Sequence, residues 1–226
     1  MSKLPEIDKN NTIKRYSDRL KLYGYSPKTL GWVKGKQDIR FDILISQYNF
    51  ENKSLLDIGC GFGDLNKNLK KNYKNYTYLG IDLNDELIQI GKELYKEEHI
   101  RFESGDFLEK NFSEQFDYII ESGIFNHKLE GISNYDFIEA VIEKSLKICN
   151  DGIAFDFLSD KVDYTDGHTF HSSPEKILSI AYKFSRNIVL RNDYMPFEFS
   201  LFLFKDDSFS KENTVFQRYN ILNNRI

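Results

Sequence analysis

The sequence predicts a doubly wound α/β fold: a mostly parallel sheet of seven strands, closed by a C-terminal antiparallel hairpin and preceded by two helices. Three observations carry that reading. Short apolar runs rich in Ile, Leu, Tyr and Phe alternate with stretches of helical period from Leu55 onward, and such alternation requires crossover helices between parallel strands. The first run, Leu55-Leu56-Asp57-Ile58, opens directly into Gly59-Cys60-Gly61-Phe62-Gly63, with glycine at alternate positions. The last two runs, Asn187–Leu190 and Phe197–Phe204, are separated only by a turn from Asp193 to Pro196, which favours an antiparallel hairpin.

The elements follow in order. Ile13, Tyr16, Leu20 and Tyr23 recur at helical spacing within residues 6 to 24, and Gly24 with Ser26-Pro27 ends that helix. A second helix is expected over 37 to 48 through Phe41, Leu44, Ile45 and Tyr48, after a loop holding the single tryptophan, Trp32. Two roles are open for this pair, a lid over a ligand cleft or a cover for a sheet edge. Helices are expected over 64–74 and 85–98, strands over 76–82, 99–106 and 116–121. A helix over 135–149 then leads to a strand at 152–157 and to a helix that starts at Pro174, proline being favoured in a first turn. The chain divides into residues 1–48 (helical lid), 49–205 (α/β core) and 206–226 (polar tail or packing arm).

Composition bounds the function. The 226 residues, 40% hydrophobic with 15% aromatic, suffice for one sizeable core. A formal charge of -4 provides no general basic field, so nucleic acid is not the expected partner and a small-molecule acceptor is. Cys60 and Cys149 have no C-x-x-C spacing and are expected as free thiols in a reducing compartment. The start, Met1-Ser2-Lys3-Leu4-Pro5, has no apolar leader and no run is long enough to span a membrane. A cytoplasmic location is expected, with no membrane partner.

The glycine turn is the ligand signal. Gly59, Gly61 and Gly63 let the backbone approach a ligand at the strand's carboxyl end. A dinucleotide fingerprint would need glycine at position 64, but Asp64 stands there and with Asp57 would repel a pyrophosphate at the helix start. S-adenosylmethionine has no phosphate and has an ammonium that Asp57 would attract. Asp57, Asp82 and Asp106 each close a predicted strand, so all three gather at one sheet edge.

The pattern D-x-G-x-G-x-G resembles motif I of the class I S-adenosylmethionine-dependent methyltransferases, whose Rossmann-like sheet has the strand order expected here. The resemblance implies S-adenosylmethionine as cofactor, with Asp82 accepting from both ribose hydroxyls, Leu83 packing on the adenine and Asp106 taking the adenine amine beside the Phe107 backbone. Arg40 is the residue expected to pair the cofactor carboxylate, its alternative being a solvated helix arginine, and Ser122 is expected beside the cofactor. The blocks Ser122-Gly123-Ile124-Phe125-Asn126 and Asp193 to Phe199 are similar to those of a small bacterial methyltransferase group associated with surface-polysaccharide genes. That implies a sugar-like or phosphorylated acceptor. The N/D-P-P-Y/F signature of amine methylation is missing, which turns the expectation towards a hydroxyl.

Methyl transfer to a hydroxyl needs alignment and one proton acceptor. His127, His168 and His171 are the candidates, with a pH response near the ordinary histidine range of about 6 to 7. His127 ranks first because it follows the strand nearest the cofactor's sulfur. His168 and His171 have H-x-x-H spacing but no third ligand at a telling distance, so no metal is expected. The rival readings are an RNA or protein methyltransferase, a non-catalytic cofactor-binding partner subunit, and an NAD-dependent enzyme.

Overall fold

The structure is a computed structural model describing residues 3–32, 36–209, 211–212 and 214–222. Its sheet contains β1 (Lys53–Ile58), β2 (Tyr76–Asp82), β3 (Ile100–Ser104), β4 (Phe116–Glu121), β5 (Cys149–Leu158), β6 (Ile188–Arg191) and β7 (Glu198–Phe204). They lie in the order β3-β2-β1-β4-β5-β7-β6. Every neighbouring pair is parallel except β5 with β7 and β6 with β7, so the sheet is the expected mixed one with its closing hairpin. The order reverses between β1 and β4, and a crevice opens at the carboxyl ends of the strands at such a switch point.

The period-two alternation of the strands decides which helix goes where. Leu56, Ile58, Ile119, Ile153 and Phe155 face one side, where α5 (Asn134–Ile148) packs Phe137, Ile138, Val141 and Ile142 against them and α6 (Pro174–Ala181) adds Ile177 and Ile180. Leu55, Tyr78, Ile120 and Ala154 face the other side, covered by α2 (Gln37–Ile45), α3 (Leu65–Asn72) and α4 (Asp85–Leu94) through Phe41, Leu44, Leu69 and Ile88. Each fully buried aliphatic side chain there contributes roughly 1.5–3 kcal/mol relative to exposure.

Several expectations are adjusted. The two N-terminal helices part company: α2 is a core helix with Phe41, Leu44 and Ile45 buried, whereas α1 (Glu6–Tyr23) buries only Asp8 and Lys9. α1 lies across the carboxyl edge. Its Asp8 accepts from Glu130 N–H at 2.8 Å and Gly131 N–H at 3.0 Å, Asn84 Nδ2 donates to Ile13 O at 3.2 Å, and Arg19 Nε donates to Thr29 O at 2.9 Å. Helix α4 stops at Leu94 rather than Glu98, and β3 ends at Ser104, so Asp106 sits in the following loop, past Gly105 at φ 146°. The tail forms a short helix, α7 (Gln217–Leu222), whose Arg218 stacks 3.5 Å from the Phe204 ring centroid and donates to Gln47 O. Residues 223–226 of the expected tail lie outside the described residues.

Candidate active site

Beneath α1, at the switch point, lies a cavity of about 580 Å³, within the range of small-molecule sites. Its floor is the turn after β1. Gly59 and Gly61 have φ of 69° and 56°, and a Cβ on Gly61 would stand 2.9 Å from a Leu30 methyl, so a larger residue would push the backbone out of the approach it makes. Gly61 N–H donates to Asp82 Oδ2 at 2.9 Å, and Asn84 N–H donates to Oδ1 at the same distance. The tip of β2 and the glycine turn are thereby locked together, although burial still holds the Asp82 carboxyl above its ordinary value. Asp57 accepts from Tyr78 Oη at 2.7 Å, and burial pushes it up to about 7; a ligand cation at this spot would restore its charge.

Asp57, Gly59, Gly61, Asp82, Leu83, Asp106, Phe107, Ser122, Arg40, His127 and His168 all face the cavity. Three residues of the sequence reading do not. Gly63 lies behind the floor, where a Cβ would meet the Phe102 ring at 2.5 Å, so its bareness serves helix–sheet packing. Asp64 does not line the cavity and is held by Tyr25 Oη and Lys67 Nζ, each at 2.8 Å, so only Asp57 of the two carboxylates bears on a ligand's charge. His171 is a loop brace, its Nδ1 bonded to Ser159 O at 2.8 Å and its Nε2 to Thr169 Oγ1 at 3.1 Å.

Other residues have partners that no local pattern announced. Arg40 is buried, forks both nitrogens onto Glu198 at the start of β7, and lies 3.9 Å over the Trp32 ring. It is therefore not a solvated helix arginine, and a ligand carboxylate would meet it already paired. Asp106 carries Lys9 of α1 at 3.1 Å and accepts from Leu108 N–H. Ser122 Oγ donates to Asp156 Oδ2 at 2.5 Å. Asp156 and Glu121 are both buried, with one oxygen each lacking a hydrogen-bond partner among the described residues. Burial holds Asp156 at about 6 and Glu121 well above the usual carboxylate range. Glu121 closes a strand as Asp82 does, which was the available signal; Asp156 lies inside a strand and gave none.

The histidines differ in environment. His168 is exposed and paired with Asp166 at 2.8 Å. His127 is half-buried, with Nε2 3.2 Å from Tyr16 Oη of α1. Burial, with Arg15, His168 and Arg19 adding like charge, lowers His127 to about 4, so the expected response near 6 to 7 moves well down and the ring is neutral at pH 7. Cys60 and Cys149 are buried free thiols. Among the described residues no group of three His, Cys, Asp or Glu is placed to hold a metal, and no helix is long and apolar enough to cross a membrane.

Comparison with known proteins agrees with this fold. Residues 55–144 match the family described as a methyltransferase domain, a span that runs from β1 into α5 and includes Asp57, Asp82, Asp106 and His127. A Mycobacterium tuberculosis protein named as a candidate methyltransferase is 26% identical over 161 residues, covering 67% of this chain and 93% of that one. The fold is similar to magnesium protoporphyrin IX methyltransferase of Synechocystis PCC 6803 with bound S-adenosylhomocysteine, at TM-score 0.66 and 13% identity over 88% of this chain and 98% of that one. It is also similar to the N-methyltransferase NodS of Bradyrhizobium japonicum WM9 in complex with the same product, at TM-score 0.64 and 18% identity over 86% and 98%. The chain thus has the Rossmann-like fold of these methyltransferases, whose structures hold S-adenosylmethionine or S-adenosylhomocysteine.

Proposed function

We propose that this chain transfers the methyl group of S-adenosylmethionine to a hydroxyl of a small, sugar-like or phosphorylated acceptor, in surface-polysaccharide synthesis in the cytoplasm. The observation that carries the cofactor half is the Asp82 carboxylate, fixed by Gly61 N–H at 2.9 Å at the end of β2 and facing the cavity. A carboxylate so placed accepts from a pair of vicinal ribose hydroxyls. Leu83 and Phe107 offer apolar surface to the adenine, and Asp57, poised at about 7, offers its charge to the ammonium. When bound, the cofactor supplies a sulfonium-activated methyl group. Atoms balance as an in-line displacement: the acceptor oxygen gains the carbon, the sulfur keeps the electron pair, and the acceptor's proton passes to a base. His127, neutral at pH 7, is that base in this reading.

The acceptor half rests on the wall formed by Trp32, Phe41, Met195 and Phe197, with Glu198 and Arg40 between them. Flat apolar rings beside a charged pair suit the mixed faces of a sugar. The resemblance of the Ser122–Asn126 and Asp193–Phe199 blocks supports the polysaccharide setting. This space beyond the cofactor residues speaks against a non-catalytic cofactor-binding subunit. Calorimetry with S-adenosylmethionine, S-adenosylhomocysteine and NAD tests the reading: the S-adenosyl compounds are expected to bind with a Kd on the order of micromolar. Tight NAD binding with no S-adenosyl signal would overturn it.

A further inference from the structure

We infer that Tyr16 of α1 positions the imidazole of His127, so that the proposed base takes its working orientation and tautomer only while α1 lies across the cleft. The inference rests on the reading of His127 as base and deepens it. The backbone around His127 is fixed without α1: Asn134 Nδ2 donates to His127 O at 2.7 Å, Lys128 N–H donates to His168 O at 3.1 Å, and His127 forms an antiparallel bridge with Thr169. The ring is fixed otherwise. Its only hydrogen-bond partner among the described residues is Tyr16 Oη, 3.2 Å from Nε2, with the two rings edge to face at 6.1 Å.

Nδ1 is buried and has no hydrogen-bond partner among the described residues. A buried N–H without an acceptor is rarer in folded proteins than an under-satisfied acceptor, so the proton belongs on Nε2, donated to the phenol oxygen. Nδ1 then keeps its lone pair, unpaired among the described residues. Tyr16 suits this part because burial pushes its phenol up to about 12, which keeps it a neutral partner at every working pH. The charged and titratable groups around the pair are Arg15 and Arg19 of α1, Asp82 and Glu121 at the strand ends, and His168 in the facing loop.

α1 is also an element that can leave. It buries no apolar residue fully, and it is held through polar contacts of Asp8, Lys9, Ile13 O, Tyr16, Ser17 and Arg19. Lifting it would strip His127 of its ring partner, and Glu130 and Gly131 of their Asp8 acceptor, while the bonds of His127 O to Asn134 and of Lys128 N–H to His168 O do not involve α1.

The test is 15N NMR of the histidine rings in the full chain saturated with S-adenosylhomocysteine, with His127 assigned by His127→Gln. The wild type is expected to show one tautomer at His127, protonated on Nε2. Tyr16→Phe keeps the aromatic edge and removes only the hydroxyl; it is expected to turn that signal into an exchanging mixture of tautomers while S-adenosylhomocysteine affinity stays within about threefold. His127 signals unchanged in Tyr16→Phe, or a wild-type ring protonated on Nδ1, would overturn the inference. Failure of the base reading looks different: His127→Gln would leave methyl transfer intact whatever Tyr16 does.

Discussion

Helices α1 and α5 flank the same cavity and are attached by opposite means. Over 15 residues α5 buries Phe137, Ile138, Val141 and Ile142 against the sheet, so its position is set by non-directional burial that is lost only on unfolding. Over 18 residues α1 buries Asp8 and Lys9 alone and is held by directional polar contacts, each contributing only about 0.5–1.5 kcal/mol net. A cleft built between two such elements is expected to open at α1 rather than at α5, which makes α1 the expected side of entry for cofactor and acceptor.

The predictions set these two walls against each other, from the largest effect down. His127→Ala, on the loop between the walls, should lower turnover by about 10² to 10⁴ with little change in cofactor affinity, as expected of a group used in the transition state. As the proposed base, the same residue sets the expected pH profile. Its pKa is lowered to about 4, so the neutral base is present above that value and lost as pH falls through it. At saturating S-adenosylmethionine, whose ammonium keeps Asp57 charged, the rate should be level from weakly acidic pH upward; an inflection near 6 to 7 would mean that a group other than His127, such as Asp57 or Asp156, governs the rate.

Ile138→Ala in α5 should lower the unfolding free energy by about 2–5 kcal/mol, as for other buried large-to-small changes, measured by denaturant titration. Ile13→Ala in α1, at a side chain 36% exposed, should change it by less than about 0.5 kcal/mol. Equal losses at the two sites would abolish the contrast. Asp82→Ala should weaken S-adenosylhomocysteine binding by about 2–3 kcal/mol, and unaltered binding in calorimetry would mean that the ribose lies elsewhere.

What the sequence made legible follows the same division. β2 and β4 have the bounds expected of them, Tyr76–Asp82 and Phe116–Glu121, because apolar strands ending in an acid or followed by glycine are a local pattern. The acids that line the cavity were legible for that reason: each belongs to a strand end or to the loop after one. Partners brought together by the fold were not. Arg40 meets Glu198 across 158 positions of sequence, and Lys9 meets Asp106 because α1 crosses the strand ends; no spacing encodes either contact. Tyr16 was read as part of an apolar stripe, and only the placement of α1 puts its hydroxyl on His127. Asp64 and Gly63 were misjudged for the same cause, since the direction a turn residue faces depends on the helix that follows it. Among the three histidines the sequence ranked His127 first by its place after β4, but the burial of its ring and the bracing of His171 by Ser159 and Thr169 came only with the fold.

Hydrogen exchange of the full chain, with and without saturating S-adenosylhomocysteine, tests the central claim most directly, because it reads the cofactor site and the movable wall together. Without ligand, amides of α1 should exchange far faster than those of β1, β4 and α5. With ligand, slowing should concentrate in α1, in the turn 59–63 and at the end of β2, and leave the α5 core unchanged. Protection of α1 equal to that of the core before ligand is added, or ligand protection falling away from the glycine turn, would contradict the account.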